Sequence, residues 1–266
     1  MTRLFDMNVG TTHEFVLALQ NAGFTRENAL DVIDDPSKAK LLTNALHRAY
    51  ASPEEQVRMV IRFLEKYADG EKGFRAADIP LSPKFTPRSD TEQLLLTVML
   101  PDHGSKSGLM RTFDAWWGMA YFGRGSEKSR DREVLSDPEH MRLIDGLEYE
   151  PGIRWVAFEP LAFQAVVVRK ARQHAASMGV TLAHVEVLIA AALFREWSVE
   201  LAKKWADHSI DMPYPNMAGI DLTDSENRHM APVFNGTSGP NCIWLDPMWD
   251  DYPADDRVAS PTVRKL

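Results

Sequence analysis

Near the C-terminus five carboxylates, Asp246, Asp250, Asp251, Asp255 and Asp256, are interleaved with Trp244, Trp249 and Tyr252. Oxygen ligands at this density suit Mg²⁺ or Ca²⁺, which makes Asp246, Asp250 and Asp251 the metal candidates, although the spacing follows no EF-hand loop. A solvated acidic loop with aromatics packed beneath it is the plainer account and the favoured one. On either account Trp249 and Tyr252 are candidates for contact with a partner, since aromatic side chains dominate interface energetics. A metal-assisted hydrolase would set His103, His140 or His229 beside such carboxylates. The histidines form no His-Glu-x-x-His pair, and no Gly-x-Ser-x-Gly elbow is present.

Two further stretches carry chemistry-bearing types at suggestive spacing. Asp102-His103-Gly104-Ser105-Lys106-Ser107-Gly108 has the small and basic residues of a phosphate loop. That loop needs glycine directly before its lysine, and a second glycine upstream, so that backbone N–H groups ring the anion. Ser105 stands in the way, and a plain turn is the better reading. His184-Val185-Glu186, with Pro240-Asn241-Cys242 downstream, resembles the nucleoside-type zinc deaminases, where His and Cys hold zinc and Glu shuttles protons. Cys242 is the only cysteine, so the second thiolate of that site is missing, and with it any internal disulfide. The basic loop with Arg124, Lys128, Arg130 and Arg132 is offset by Glu127, Asp131 and Glu133, as in a solvated loop.

Composition bounds the rest. The chain has 266 residues, 44% hydrophobic and 26% charged, enough for one or two globular domains with a sizeable core. A net charge of −8 disfavours nucleic acid as a partner. The first residues lack an apolar stretch with a small-residue cleavage site, and no apolar run reaches the roughly 20 residues that span a bilayer. A cytoplasmic protein without a membrane partner is therefore expected. No cofactor is expected, and the oligomeric state is left open.

The elements that must position these residues are punctuated clearly. Thr12, Thr25 and Asp35-Pro36 open three short helices. Ser52-Pro53-Glu54-Glu55 is a capping box ahead of Val57, Val60, Ile61 and Leu64 at helical spacing. Pro80, Pro83 and Pro87 mark an extended connector. Strands are expected near 94–100, 140–144, 153–158, 220–222, 232–234 and 242–245. A buried helix or strand is expected over 110–122, an exposed loop over 123–132 and a rigid turn over 212–216. At the centre stands a helical pair, 161–178 and 182–206, turned at Gly179 and capped at Thr181. Its run from Val187 to Phe194 has no polar residue and must be buried on all sides.

The Leu19, Ala22-Gly23-Phe24, Ala29 and Ala39–Leu46 positions resemble the loop and core of the ubiquitin-associated three-helix domain, over residues 12–47. The resemblance implies a partner-binding loop at Gly23 and Phe24. The stretches RTFDAWW, SDPEHMRLIDGLEYEPGIRWVAFEP, PYPNMAG and ASPTVRKL resemble an uncharacterised family of bacterial proteins, over about 90–266, which supports a single domain there and implies no chemistry.

The expectation is an α+β protein: a small helical module at 1–70, a proline-containing linker at 71–88, and an α+β domain at 89–266 with a small sheet packed on the helical pair. The leading functional expectation is a non-enzymatic protein-interaction or adaptor role, with a protein partner. The rival is a metal-assisted hydrolase using Asp and His in the C-terminal domain. A deep polar pocket with convergent carboxylates or imidazoles favours an enzyme, and an exposed apolar patch favours an adaptor.

Overall fold

The computed structural model describes residues 25–27, 30, 51–67, 74–120, 127–130, 141–194, 214–223, 226, 228–235, 242–251 and 258–266. The chain divides into two compact units, Met1–Ala49 and Tyr50–Leu266. In the first, Arg26, Glu27 and Leu30 are helical, following the expected start at Thr25, and Leu30 is 47% exposed. The other expected helices of residues 12–47, with Gly23 and Phe24, lie outside the described residues.

The larger unit begins where the capping box requires. Ser52 Oγ accepts the Glu55 N–H at 3.2 Å and Glu55 Oε2 accepts the Ser52 N–H at 2.8 Å, opening helix α1 (Pro53–Tyr67). Its buried Val60, Phe63 and Leu64 make one stripe, and Phe63 stacks on Trp116 at 4.0 Å between ring centroids. The punctuation grouped this helix with an N-terminal module, but its buried face joins the core of the larger unit. The proline segment after it has neither helix nor strand from Ile79 to Pro87. It is pinned to that unit by buried Phe74 and by the Trp155 indole N–H, which donates to the Pro80 carbonyl at 2.9 Å.

Strand β1 (Gln93–Met99) and helix α2 (Gly108–Met119) follow. α2 resolves the helix-or-strand ambiguity of the aromatic run, and Ser107 caps it by accepting the Met110 N–H. β2 (Glu127–Arg130) replaces part of the expected exposed loop: its backbone pairs in parallel with a later strand, a long-range contact that no local pattern announces. β3 (Met141–Leu143) and β4 (Gly152–Gln164) match two expected strands, the second much extended.

That extension corrects the first central helix. Residues 161–164 continue β4, and helix α3 spans only Val168–Met178. Pro160 interrupts nothing, because β1 pairing ends at Phe158 and the partner strand shifts register between Ser260 and Thr262. Gly179 closes α3 in the left-handed conformation (φ 63°), as anticipated, and the Val180 N–H returns to the Ala175 carbonyl. Thr181 caps nothing. With Leu182 it forms β5 (Thr181–Leu182), and helix α4 starts later, at Glu186–Leu193. Residues 195–206 of the expected second helix lie outside the described residues. The apolar run is buried on every side, with Val187 to Phe194 at most 1% exposed.

The last strands are β6 (Tyr214–Pro215), β7 (Ile220–Thr223), β8 (His229–Asn235), β9 (Cys242–Trp249) and β10 (Val258–Lys265). β6 occupies the expected rigid turn, and β10 was not expected. The fold is α+β, with two mostly antiparallel five-stranded sheets among the described residues. One runs β1-β4-β10-β5 with β6 added to β10, and the other runs β2-β9-β8-β7-β3. The chain at Asn216 ties them together: the Asn216 N–H donates to Ala259 of the first sheet and the Met217 N–H to Pro232 of the second. No helix among the described residues is long and apolar enough to cross a membrane.

Candidate functional site

A cavity of about 240 Å³ opens at one end of the first sheet. Its apolar floor comes from Met99, Val156 and Val263, where the ends of β1, β4 and β10 meet. Its polar wall is formed by Glu148, Glu150, Arg154, His184, Glu186 and Lys265. Period-two alternation puts Arg154 with Val156 on one face of β4, and Val263 with Lys265 on one face of β10. The register sets Val156 opposite Lys265.

His184 and Glu186 enter the wall through a short, tightly held turn. β5 pairs with β10 through Leu182 and Thr262, and the Ala183 N–H donates to the Pro261 carbonyl at 2.9 Å. The chain then turns directly into α4. Gly219 lets it pass, since a Cβ there would stand 2.9 Å from the Ala183 carbonyl oxygen. Glu186, the first residue of α4, accepts the His184 N–H on Oε2 at 2.8 Å. Both residues are buried, with 7% of His184 and 5% of Glu186 exposed. The His184 Nδ1 lies 3.4 Å from Glu186 Oε2 without hydrogen-bond geometry, and it has no other partner.

The cations of the wall are held elsewhere. Glu150 takes Lys265 Nζ at 2.6 Å and also binds the Arg154 guanidinium. These donors, Lys265 foremost, hold the Glu150 carboxyl below the ordinary carboxylate range. The Tyr149 ring stands 6.4 Å from that of His184, outside the cavity lining. Its hydroxyl lies 2.7 Å from the Leu100 carbonyl and 2.9 Å from that of Gly108, and meets the Thr112 hydroxyl at 2.6 Å. Burial pushes this phenol well above its usual value, with Glu186 adding to the shift.

The other sequence candidates are distributed differently. In the loop 102–108, Asp102 Oδ1 accepts the Gly108 N–H at 2.6 Å, and His103 and Lys106 pair across a tight turn. A carboxylate thus occupies the helix start that a phosphate would need. Asp250 is tied to arginines: Oδ1 to Arg169 at 2.8 Å and Oδ2 to Arg172 at 3.4 Å. Asp251 is exposed and lies 3.6 Å from Arg169. Asp246 stands in β9 opposite Val233, and Cys242 starts that strand opposite Glu127 of β2. His229 Nδ1 lies 2.9 Å from Asp221, which shares Arg172 with Asp250, and the His229 carbonyl accepts the Asp250 N–H at 3.0 Å. Trp249 is 46% exposed, with the Arg228 guanidinium 4.9 Å above its ring. Tyr252 and His140 lie outside the described residues. Among the described residues no three His, Cys, Asp or Glu side chains stand close enough to share a metal ion.

The pair singled out as a broken deaminase motif, His184 and Glu186, is therefore what the fold buries beside a cavity. Glu148, Glu150, Arg154 and Lys265 were not anticipated. They come from a connector and two strands, and only pairing of β4 with β10 brings them together. A larger depression of about 540 Å³ along α3 is walled by residues such as Ala175, Val180 and Leu182 and converges no buried titratable pair. No family model matches the chain, and no curated protein or solved structure shows significant similarity to it.

Proposed function

We propose that the chain binds a small polar molecule in the cavity walled by His184 and Glu186. The observation that carries this reading is a buried imidazole nitrogen, His184 Nδ1, left without a hydrogen bond beside the buried Glu186 carboxylate, both residues lining a half-open cavity. A buried polar group left without a partner costs of order 1–3 kcal/mol, more when charged, and proteins retain such groups where a ligand or water completes them. An imidazole beside a carboxylate also has the means to move a proton on whatever binds there. Ligand-observed NMR with a mixed fragment library tests the reading, comparing the natural chain with Val263→Trp, which fills the floor. Fragments that bind the first and not the second support it. Equal binding to both, or none to either, sinks it.

A second reading, the protein-interaction role, draws on Trp249. Tryptophan and arginine are the residues most enriched at interface hot spots, and Trp249 with Arg228 offers both on the surface. A partner retained by the intact chain and lost with Trp249→Ala supports it, and retention by both removes Trp249 from the contact.

A further inference from the structure

We infer that the molecule bound in this cavity carries a cationic nitrogen, a primary ammonium being the simplest form, seated against Glu186. This rests on the cavity being a binding site and adds the chemical class of its ligand. Three carboxylates and two cations line the wall. Both cations, Arg154 and Lys265, are engaged by Glu150, and Lys265 has 75% of its side chain in solvent. Among the described residues Glu148, exposed on the rim, has no ion pair, and buried Glu186 has none beyond its contact with His184.

What the buried end of the site lacks is a compensating cation. Glu186 is hydrogen-bonded through Oε2 to the His184 N–H. His184 Nδ1 is buried without a hydrogen bond, and it is an acceptor in the tautomer that carries its proton on Nε2. An anion seated here would place like charge beside Glu186 and leave that acceptor unmet. An ammonium supplies three N–H donors and the compensating charge, in surroundings where a charge-assisted hydrogen bond is strongest. The exposed Glu148 adds attraction for a cation at the entrance.

The test uses the full chain and four probes at matched ionic strength: methylammonium, 1,4-diaminobutane, acetate and inorganic phosphate. Binding is read by calorimetry and by the shift in Tm. Glu186→Gln is the informative variant, because the amide oxygen still accepts the His184 N–H while the charge is gone. The expected result is amine binding to the natural chain and roughly tenfold or greater weakening in Glu186→Gln, with no response to acetate or phosphate. Amine binding of equal strength in both proteins overturns the inference. So does binding of acetate or phosphate in place of the amines. If library fragments bind in a manner blocked by Val263→Trp while both amines fail, the inference falls and the cavity reading stands. If nothing binds at all, both fall.

Discussion

Glu150 sits between Lys265 and Arg154, and its depressed pKa has a direct consequence for the C-terminal strand. A carboxylate whose folded pKa lies below its unfolded value stabilises the fold above the ordinary range, near about 4.3. That contribution is lost as pH falls through the folded value. Carboxyl-carbon NMR should therefore find Glu150 titrating below the ordinary carboxylate value, and Lys265→Ala should move it up toward that value. Tyr149 behaves in the opposite sense. Its raised pKa means a contribution present below about pH 10, the ordinary phenol value, and lost as pH rises beyond it. Alkaline absorbance titration of the folded chain should find Tyr149 silent through the ordinary phenol range, read as the difference between the natural chain and Tyr149→Phe, whose folded titration curves should coincide there. Gly108 is fixed by contact alone: an added Cβ would strike the Leu100 carbonyl and the Tyr149 ring. Gly108→Ala should destabilise by about 1–3 kcal/mol in chemical denaturation.

At the scale of elements, two side chains join pieces that backbone pairing leaves apart. Gln56 of α1 donates to the Leu94 carbonyl at 2.9 Å and accepts the Leu96 N–H at 2.8 Å. Its amide thus imitates a neighbouring strand along the outer edge of β1, an edge that would otherwise invite pairing with another chain. Gln56→Leu, of similar volume, strands two buried backbone groups, and a loss of about 1–3 kcal/mol is expected. Light scattering should show faster aggregation of this variant. Arg172 of α3 uses its guanidinium on the Ala218, Ile220 and Met230 carbonyls and on Asp221 and Asp250. Burial lowers its pKa against the pull of the two aspartates. Among the described residues Arg172 is the cation that meets both buried carboxylates, and Arg172→Ala should cost about 3–5 kcal/mol. Replacing Arg172 also frees Asp250 Oδ2, while Arg169 keeps Oδ1, so that added Ca²⁺ restoring stability to this variant alone would indicate a latent affinity for metal in its carboxylates.

At the scale of the molecule, the main core draws on α1, β1, α2, β4, α4 and the second sheet, all within Tyr50–Leu266. A chain beginning at Tyr50 should therefore keep a cooperative thermal transition close to that of the full chain, measured by calorimetry. Loss of cooperativity would show that the first 49 residues complete the core. The same arrangement explains the cavity. It forms where the first sheet ends and the connector 144–151 turns across it, so its wall depends on both sheets holding their places.

What the amino-acid sequence determined by itself is everything governed by local physics. The Ser52–Glu55 box needs only neighbouring backbone N–H groups, Gly179 needs only its missing Cβ, and the run Val187–Phe194 is too apolar to tolerate water on any side. The α+β class followed from such signals. The tertiary structure alone decided the rest. Residues 161–164 have a composition that suits helix or strand, and the partner β10 chose strand; Thr181 has the chemistry of a cap, and pairing with Val263 claimed it first. The site divides along the same line. His184 and Glu186 were legible because they are two residues apart, whereas Glu150 and Lys265 are 115 residues apart. Nothing in a linear pattern encodes that contact, because it is set by the register of β10 on β4, which only the folded chain defines.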